Sequence, residues 1–303
     1  RAMGTATLTP RRPSLNLAAP SAQLSVFNNN TKWRSLLAYA RNVVIGIGTN
    51  DIQGGVNLAT LQSRMTSMVN YLRSTGVETI LVATILPRTT GTWDIAANQN
   101  YSSANFEPGG IADQFSKWII DQADTGFING VVTHDAVRDP ALPLKWISTG
   151  SGNYATSDGL HPNGTAHGLM ATELRRNIDE VMAGAAKPGA VTLTATPGNG
   201  IITYSHAAAA ANGGAIQDYE YEIRVNGGGS FGLVDSAIST SAGGQATGLT
   251  NGTVYNNRAR ARNVKGYGPY STEVNATPAT GGYTGPMDYS PSQWLDYSDA
   301  ATL

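Results

Sequence analysis

The sequence predicts two folded units: an α/β domain over residues 1–187, built on a parallel sheet covered on both faces, and a small all-β sandwich over residues 188–278. Three observations predict this. Short, nearly unbroken apolar runs alternate with stretches of helical periodicity in the first unit. Downstream of residue 187 the helical pattern disappears, and short alternating segments are separated by Gly, Asn and Thr. The span 188–278 is also the size of one small sandwich.

The elements follow in chain order. Residues 42–48, Asn-Val-Val-Ile-Gly-Ile-Gly, have the composition and length of a strand buried on both faces. Val56, Leu58, Leu61, Met65, Met68, Val69 and Leu72 fall at helical spacing, and Gly76 is placed to end that helix. Residues 79–86 read as a second buried strand, stopped by Pro87. Residues 111–122 form a helix with Phe115, Trp118 and Ile119 inward. Residues 127–133 hold a third short strand, and 165–182 a last helix with Leu169, Leu174, Ile178 and Val181 inward. Residues 87–110 and 140–163 are irregular and leave from the carboxyl edge of the sheet, where ligands of such sheets bind. In the second unit, alternation marks strands at 191–195 and 219–223. A turn at 249–252 feeds a strand carrying Arg258, Arg260 and Arg262 on its polar face. Residues 279–303, rich in Gly, Pro, Tyr and Ser, read as a linker or tail.

Composition narrows the function classes. Lys+Arg total 20 and Asp+Glu 21, with no polybasic block, so nucleic acid is not the expected partner. Charged residues are 14% of the chain, against ~25% in ordinary globular proteins, so the surface is polar but mostly uncharged. There is no Cys, which removes disulfides, thiolate metal sites and a cysteine nucleophile. No apolar run is long enough for a membrane span. Neither a cofactor nor a metal is expected, because no His/Asp/Glu cluster has ligand spacing.

Two polar clusters sit at predicted strand and loop ends. Gly48-Thr49-Asn50-Asp51 follows the first strand, and Asn50 lies where its amide can face a ligand or serve as a turn residue. Asp158-Gly159-Leu160-His161-Pro162-Asn163 immediately precedes the last helix. An Asp and a His three apart on a constrained turn can touch, and the Asp then fixes the imidazole tautomer. The same segment also suits helix capping by Asn163 or Thr165. His134 and Asp135 end the third strand and suit a turn; His167 lies inside the last helix and reads as structural.

These two clusters, in this order and about 110 residues apart, resemble the third and fifth conserved blocks of the SGNH (GDSL-type) esterases and lipases. The resemblance covers residues 20 to 185 and implies a three-layer α/β/α sandwich. It implies that Asn50 donates to an oxyanion, Asp158 orients the histidine and His161 is the general base. The family's nucleophile is a serine in Gly-Asp-Ser at the end of the first strand, and that tripeptide is absent here. Three arrangements stay open. The serine lies on a segment or companion fragment outside the chain, residues 14–27 form a degenerate non-catalytic strand, or Ser148 or Ser151 substitutes by permutation. Of the earlier serines, Ser14, Ser21, Ser25 and Ser35, none follows a strand and a sharp glycine turn, and Gly4 is too isolated to mark the second block.

The second unit resembles a fibronectin type III domain, an immunoglobulin-like sandwich. Gly248-Leu249-Thr250-Asn251-Gly252 with Tyr255 as corner tyrosine, and Gly266-Tyr267-Gly268-Pro269-Tyr270-Ser271, carry the match. The family's core Trp falls near His206, so looser packing is expected there. The expected function is an acyl-ester hydrolase, with O-acetyl polysaccharide as one substrate class. The alternative is a non-catalytic structural or glycan- or protein-binding component of a virion tail or cell surface. Either reading expects an extracellular or virion-associated setting and a polysaccharide or cell-surface ligand.

Overall fold

The apolar run at 42–48 is shorter as a strand than its hydropathy suggests, because its glycines release the chain into a turn. Strand β1 covers Asn42–Ile45, and Gly48 (φ 132°) opens the short helix α2, Thr49–Gln53. A Cβ on Gly48 would meet the Ile85 side chain at 2.9 Å and the Phe115 ring at 3.2 Å, so the turn lies flat against the core. The structure is a computed structural model that describes residues 21–280 apart from 30–33, 35, 37–39, 151 and 235–236. Gly4, Ser14, Ser35, Ser151 and the tail beyond residue 280 lie outside the described residues.

Helix α1 is Leu24–Asn29. Helix α3, Leu58–Ser74, is capped by the Asn57 side chain, which accepts from the Thr60 amide at 2.9 Å. It buries Leu61, Met65, Met68, Val69 and Leu72, each worth roughly 1.5–3 kcal/mol of transfer free energy. Strand β2, Thr79–Ala83, is buried at every position. A small hairpin, β3 (Thr89–Gly91) with β4 (Gln99–Tyr101), orders the first loop, which sequence alone left irregular. Helix α4 is Ile111–Asp124, strand β5 is Gly130–Val132, and helix α5 is Gly164–Met182. Asn163 caps α5 by accepting from the Ala166 amide at 3.1 Å.

The three strands β1, β2 and β5 lie parallel in the order β1-β2-β5, with Val43 opposite Ile80 and Val82 opposite Val131. Val43, Ile45, Ile80, Val82 and Val131 face α3 and α4. Leu81, Ala83 and Val132 face Leu174, Ile178 and Val181 of α5. The result is helix, sheet, helix in three layers, as the alternation of strand and helix patterns predicts. Among the described residues no helix is long and apolar enough to cross a membrane.

The second unit consists of two antiparallel sheets. Strands β6 (Leu193–Gly198), β7 (Ile201–His206) and β10 (Gly244–Ala246) form one. Strands β8 (Asp218–Val225), β9 (Gly232–Leu233), β11 (Tyr255–Asn263), β12 (Gly266–Tyr267) and β13 (Val274–Ala276) form the other. Leu193, Ile202 and Tyr204 from the first pack on Tyr219, Tyr221, Ala259 and Ala261 from the second. His206 makes a ring contact and a hydrogen bond within this core. It lies 4.3 Å from the Tyr219 ring centroid, and its Nε2 is 2.7 Å from the Tyr221 hydroxyl. Arg258 and Arg260 pair with Glu222 and Glu220, as a polar strand face should. Arg262, at the same spacing, departs from that face: it is 3% exposed and reaches into the first unit.

The two edges of the parallel sheet are treated differently. The edge at β5 is closed by the second unit, where the Val131 amide donates to the Val264 carbonyl at 2.9 Å. Lys265 Nζ donates to the Asn129 carbonyl at 2.5 Å beside it. Gln217 Nε2 to Asn177 Oδ1 (3.1 Å) and Arg262 Nη2 to Asp135 Oδ2 (3.0 Å) extend the seam. The edge at β1 has no strand paired to it among the described residues, and Val44 is 41% exposed on the face that α5 leaves uncovered.

Candidate active site

The turn before α5 is built by its own residues. Asp158 Oδ1 accepts from the backbone amides of Leu160 (2.9 Å) and His161 (2.7 Å), folding the chain back on the aspartate. Gly159 (φ 73°) allows the reversal, and a Cβ there would run into the Thr89 carbonyl. Thr156 locks the other side, its hydroxyl donating to the His161 carbonyl at 2.8 Å. This geometry brings His161 Nδ1 to 2.6 Å from Asp158 Oδ2. The His161 backbone amide and then its ring hold the Asp158 carboxyl well below the usual carboxylate range. An ionised carboxylate accepts only, so Nδ1 carries the proton that faces it, on a side chain 73% exposed.

The loop is braced from below. Trp146 is fully buried, and its Nε1 donates to the Gly159 carbonyl at 2.9 Å. Gln99 on β4 holds Trp146 from both sides, accepting from its amide (2.9 Å) and donating to its carbonyl (2.8 Å). The two loops at the carboxyl edge are therefore one cross-linked platform.

Asn50 lies elsewhere on that edge. Its Nδ2 donates to the Ala22 carbonyl at 3.2 Å, and it lines a groove of about 560 Å³ that runs along β1. Neither Asp158 nor His161 is among the groove's walls. The structure joins Asp158 to His161, and it sets Asn50 in the groove. Asp51, beside it, is fully buried: its carboxylate accepts from the Leu24 amide (2.9 Å) and from Arg64 Nη1 (2.8 Å), tying α1 to α3. The groove's floor at β5 carries His134, with left-handed backbone (φ 58°) and no partner for its Nδ1 among the described residues. Burial, with the nearby Arg138 charge, pushes its pKa down to about 4, so the ring is neutral at physiological pH. The backbone around it is fixed by Glu173, whose carboxylate accepts from the His134 (2.8 Å) and Ala136 (3.0 Å) amides. Burial raises the Glu173 pKa.

Asp51, Trp146, Glu173 and Arg138 shape the site without any local signal in the sequence. Each makes its contact with a distant segment, and only an isolated charge in an apolar stripe, as at Glu173, hints at a buried role.

The profile described as GDSL-like Lipase/Acylhydrolase family matches residues 4–169, more than half of the chain. The chain belongs to this family. Both turns, Gly48–Asp51 and Asp158–His161, fall inside the stretch matched to the acylhydrolase profile. No curated protein matches the chain. Among solved structures, one titled "Myokine structure" is 17% identical, covering 31% of this acylhydrolase-family chain and 99% of its own. Its TM-score of 0.26 is too low to bear on fold or function.

Proposed function

We propose that this chain is the base-carrying part of a serine esterase or deacylase, with the nucleophilic serine on an extended segment outside these 303 residues. The observation that carries the reading is the Asp158–His161 pair at 2.6 Å, with Nε2 left exposed as a base, in a chain of the acylhydrolase family. The edge of β1, to which no strand pairs among the described residues, supports the second half. A parallel strand expects cover on both faces and a neighbour on each side, and the groove beside β1, where Val44 is 41% exposed, borders that edge.

In this reading His161 Nε2 takes the serine proton as the oxygen bonds to the acyl carbon. Asp158 holds the imidazolium that forms. Negative charge gathers on the former carbonyl oxygen, and Asn50 Nδ2, released from Ala22, donates to it. His161 returns the proton to the leaving alcohol, and water repeats the sequence to free the acid. The substrate class is an acyl ester, with O-acetyl groups on a polysaccharide as the leading instance. The second unit reads as a fibronectin type III-like accessory module. Its two antiparallel sheets and the Tyr255 hydroxyl, which accepts from the Thr250 amide at 3.1 Å, support that.

The test is p-nitrophenyl acetate hydrolysis, and labelling by a fluorophosphonate, with the chain alone and with the product of its encoded upstream segment added. Activity that needs the added segment and disappears in His161→Ala supports the proposal. Asn50→Ala should lower kcat at least tenfold, because its bond forms fully only in the transition state. Absence of labelling in the combined sample, or turnover within twofold of the parent in both variants, favours the non-catalytic structural or binding role instead.

A further inference from the structure

The seam between the two units forms a second, half-open cavity of about 310 Å³, whose lining includes neither Asp158 nor His161. It is at the small end of the range for ligand pockets, roughly 300–1,000 Å³, with room for one small ring and not for an extended chain. One wall is apolar and drawn from both units: Ile120, Leu142 and Leu144 from the first, Leu233 and Ile238 from the second. The polar part of the lining includes Ser116, Arg138, Asp135, Arg262 and Asp218.

Most of that polar part is already satisfied. Arg138 donates to the carbonyls of Thr133, Pro143 and Ile85 and to the Thr84 hydroxyl. Arg262 is committed to Asp135 (3.0 Å) and Gln217 (2.9 Å). Two groups are left over. Asp218 Oδ1 accepts from the Ser239 amide at 3.0 Å, but its Oδ2 lies 3.8 Å from Arg262 Nη2, beyond hydrogen-bond reach. Ser116 Oγ accepts from the Ile85 amide at 3.1 Å, and its hydroxyl hydrogen has no acceptor among the described residues. Asp218 Oδ2 and the Ser116 hydroxyl hydrogen are therefore both uncommitted on side chains that line the pocket. Burial already pushes the Asp218 carboxyl up to about 7, the behaviour of a carboxylate short of donors.

We propose that this cavity binds a neutral, hydroxyl-rich ring, a single sugar unit, with one hydroxyl donating to Asp218 Oδ2 and another oxygen accepting from Ser116. The lining carries acidic Asp113, Asp135, Asp218 and Glu220 against basic Lys117, Arg138 and Arg262, a near balance that gives a charged ligand little advantage. A ring with C–H faces and peripheral hydroxyls fits a lining that mixes apolar and polar side chains. Both units contribute walls, so the bound ring also fastens the seam between them. The inference is independent of the esterase reading, because it is read by binding and not by turnover.

Saturation-transfer NMR and calorimetric titration of the 303-residue chain with D-glucose, D-galactose and N-acetyl-D-glucosamine test it, with butylamine and butyrate as charged controls. At least one sugar should bind in the millimolar range and better than either control. Leu142→Trp plugs the cavity from a rim position that is 38% exposed, so the fold is retained and affinity should fall at least tenfold. Ser116→Ala should weaken binding by about tenfold, the effect of one lost hydrogen bond. Should Ser116→Ala fail to fold, Leu142→Trp alone decides. The proposal is overturned if none of the three sugars shows saturation transfer, if a charged control binds more tightly, or if Leu142→Trp leaves sugar affinity unchanged.

Discussion

Replacing Asp218 by Asn changes how stability depends on pH. The side chain sits at the seam facing Arg262, Asp135 and Glu220, with the Ser239 amide on its Oδ1. Burial dominates and carries its pKa from 3.8 to about 7, whereas Asp135 has Arg262 at 3.0 Å and is held below its ordinary value despite burial. The sign follows from linkage. A raised pKa in the folded state means that the folded protein holds the proton more tightly than the unfolded chain. Asp218 therefore contributes stability that is fully present below pH 3.8 and lost as pH rises through about 7. The full span corresponds to ~4 kcal/mol, of which roughly 2–3 kcal/mol falls between about pH 5 and about pH 8. Asn carries no titrating proton, so Asp218→Asn should gain roughly that 2–3 kcal/mol on the parent as pH rises over this interval. Urea denaturation of both proteins at the two pH values measures it, and other titrating groups cancel in the difference. A parent-to-variant difference that stays constant to within about 0.5 kcal/mol across the interval refutes the reasoning, since Asp218 would then be ionised throughout.

Substitutions at three further positions probe the surroundings of the candidate site. Gly48→Ala places a Cβ against Ile85 and Phe115 at a φ of 132°, and should cost about 2–3 kcal/mol, read from the denaturation midpoint. Asp51→Ala leaves the Leu24 amide and Arg64 without their carboxylate and should cost about 3 kcal/mol; Asp51→Asn should recover part of it. Trp146→Phe keeps the buried ring but deletes the bond to the Gly159 carbonyl, lowering Tm by about 2–4 °C. It should also speed amide exchange at Leu160 and His161 if that bond steadies the turn.

The framework of strands and helices is legible in the sequence because its signals are local. The apolar runs at 42–45 and 79–83 and the stripe from Leu61 to Leu72 need no knowledge of partners to be read. Asp158 and His161 are legible for the same reason: three residues and a glycine suffice to bring them together. What fails to show is anything set by distant neighbours. Gln99 and Trp146 are 47 residues apart, and their paired bonds turn two apparently irregular loops into one platform. Arg258, Arg260 and Arg262 are indistinguishable by alternation, yet the first two meet glutamates across β8 while the third crosses 127 residues to Asp135. Asn50 is equally opaque: its position on the carboxyl edge is readable, but its bond to Ala22 and its place in the wall of the β1 groove are not.

The two edges of the parallel sheet explain why the second unit is more than an appendage. A three-stranded parallel sheet cannot satisfy its outer backbone groups by itself, and water at both edges would leave it thin and prone to pairing with other chains. At β5 the hairpin turn after β11 supplies a carbonyl to Val131, with Val264 fully buried behind it. A Cβ at Gly130 would lie 3.1 Å from that carbonyl, so the close approach depends on glycine. The sequence of the second unit is thus constrained at Arg262, Val264 and Lys265 by the sheet it closes, and not only by its own core. At β1 the same physical demand stands unmet among the described residues, with Val44 half exposed. A strand supplied there would bury Val44 and satisfy the open edge, as Val264 does for Val131 at the opposite side.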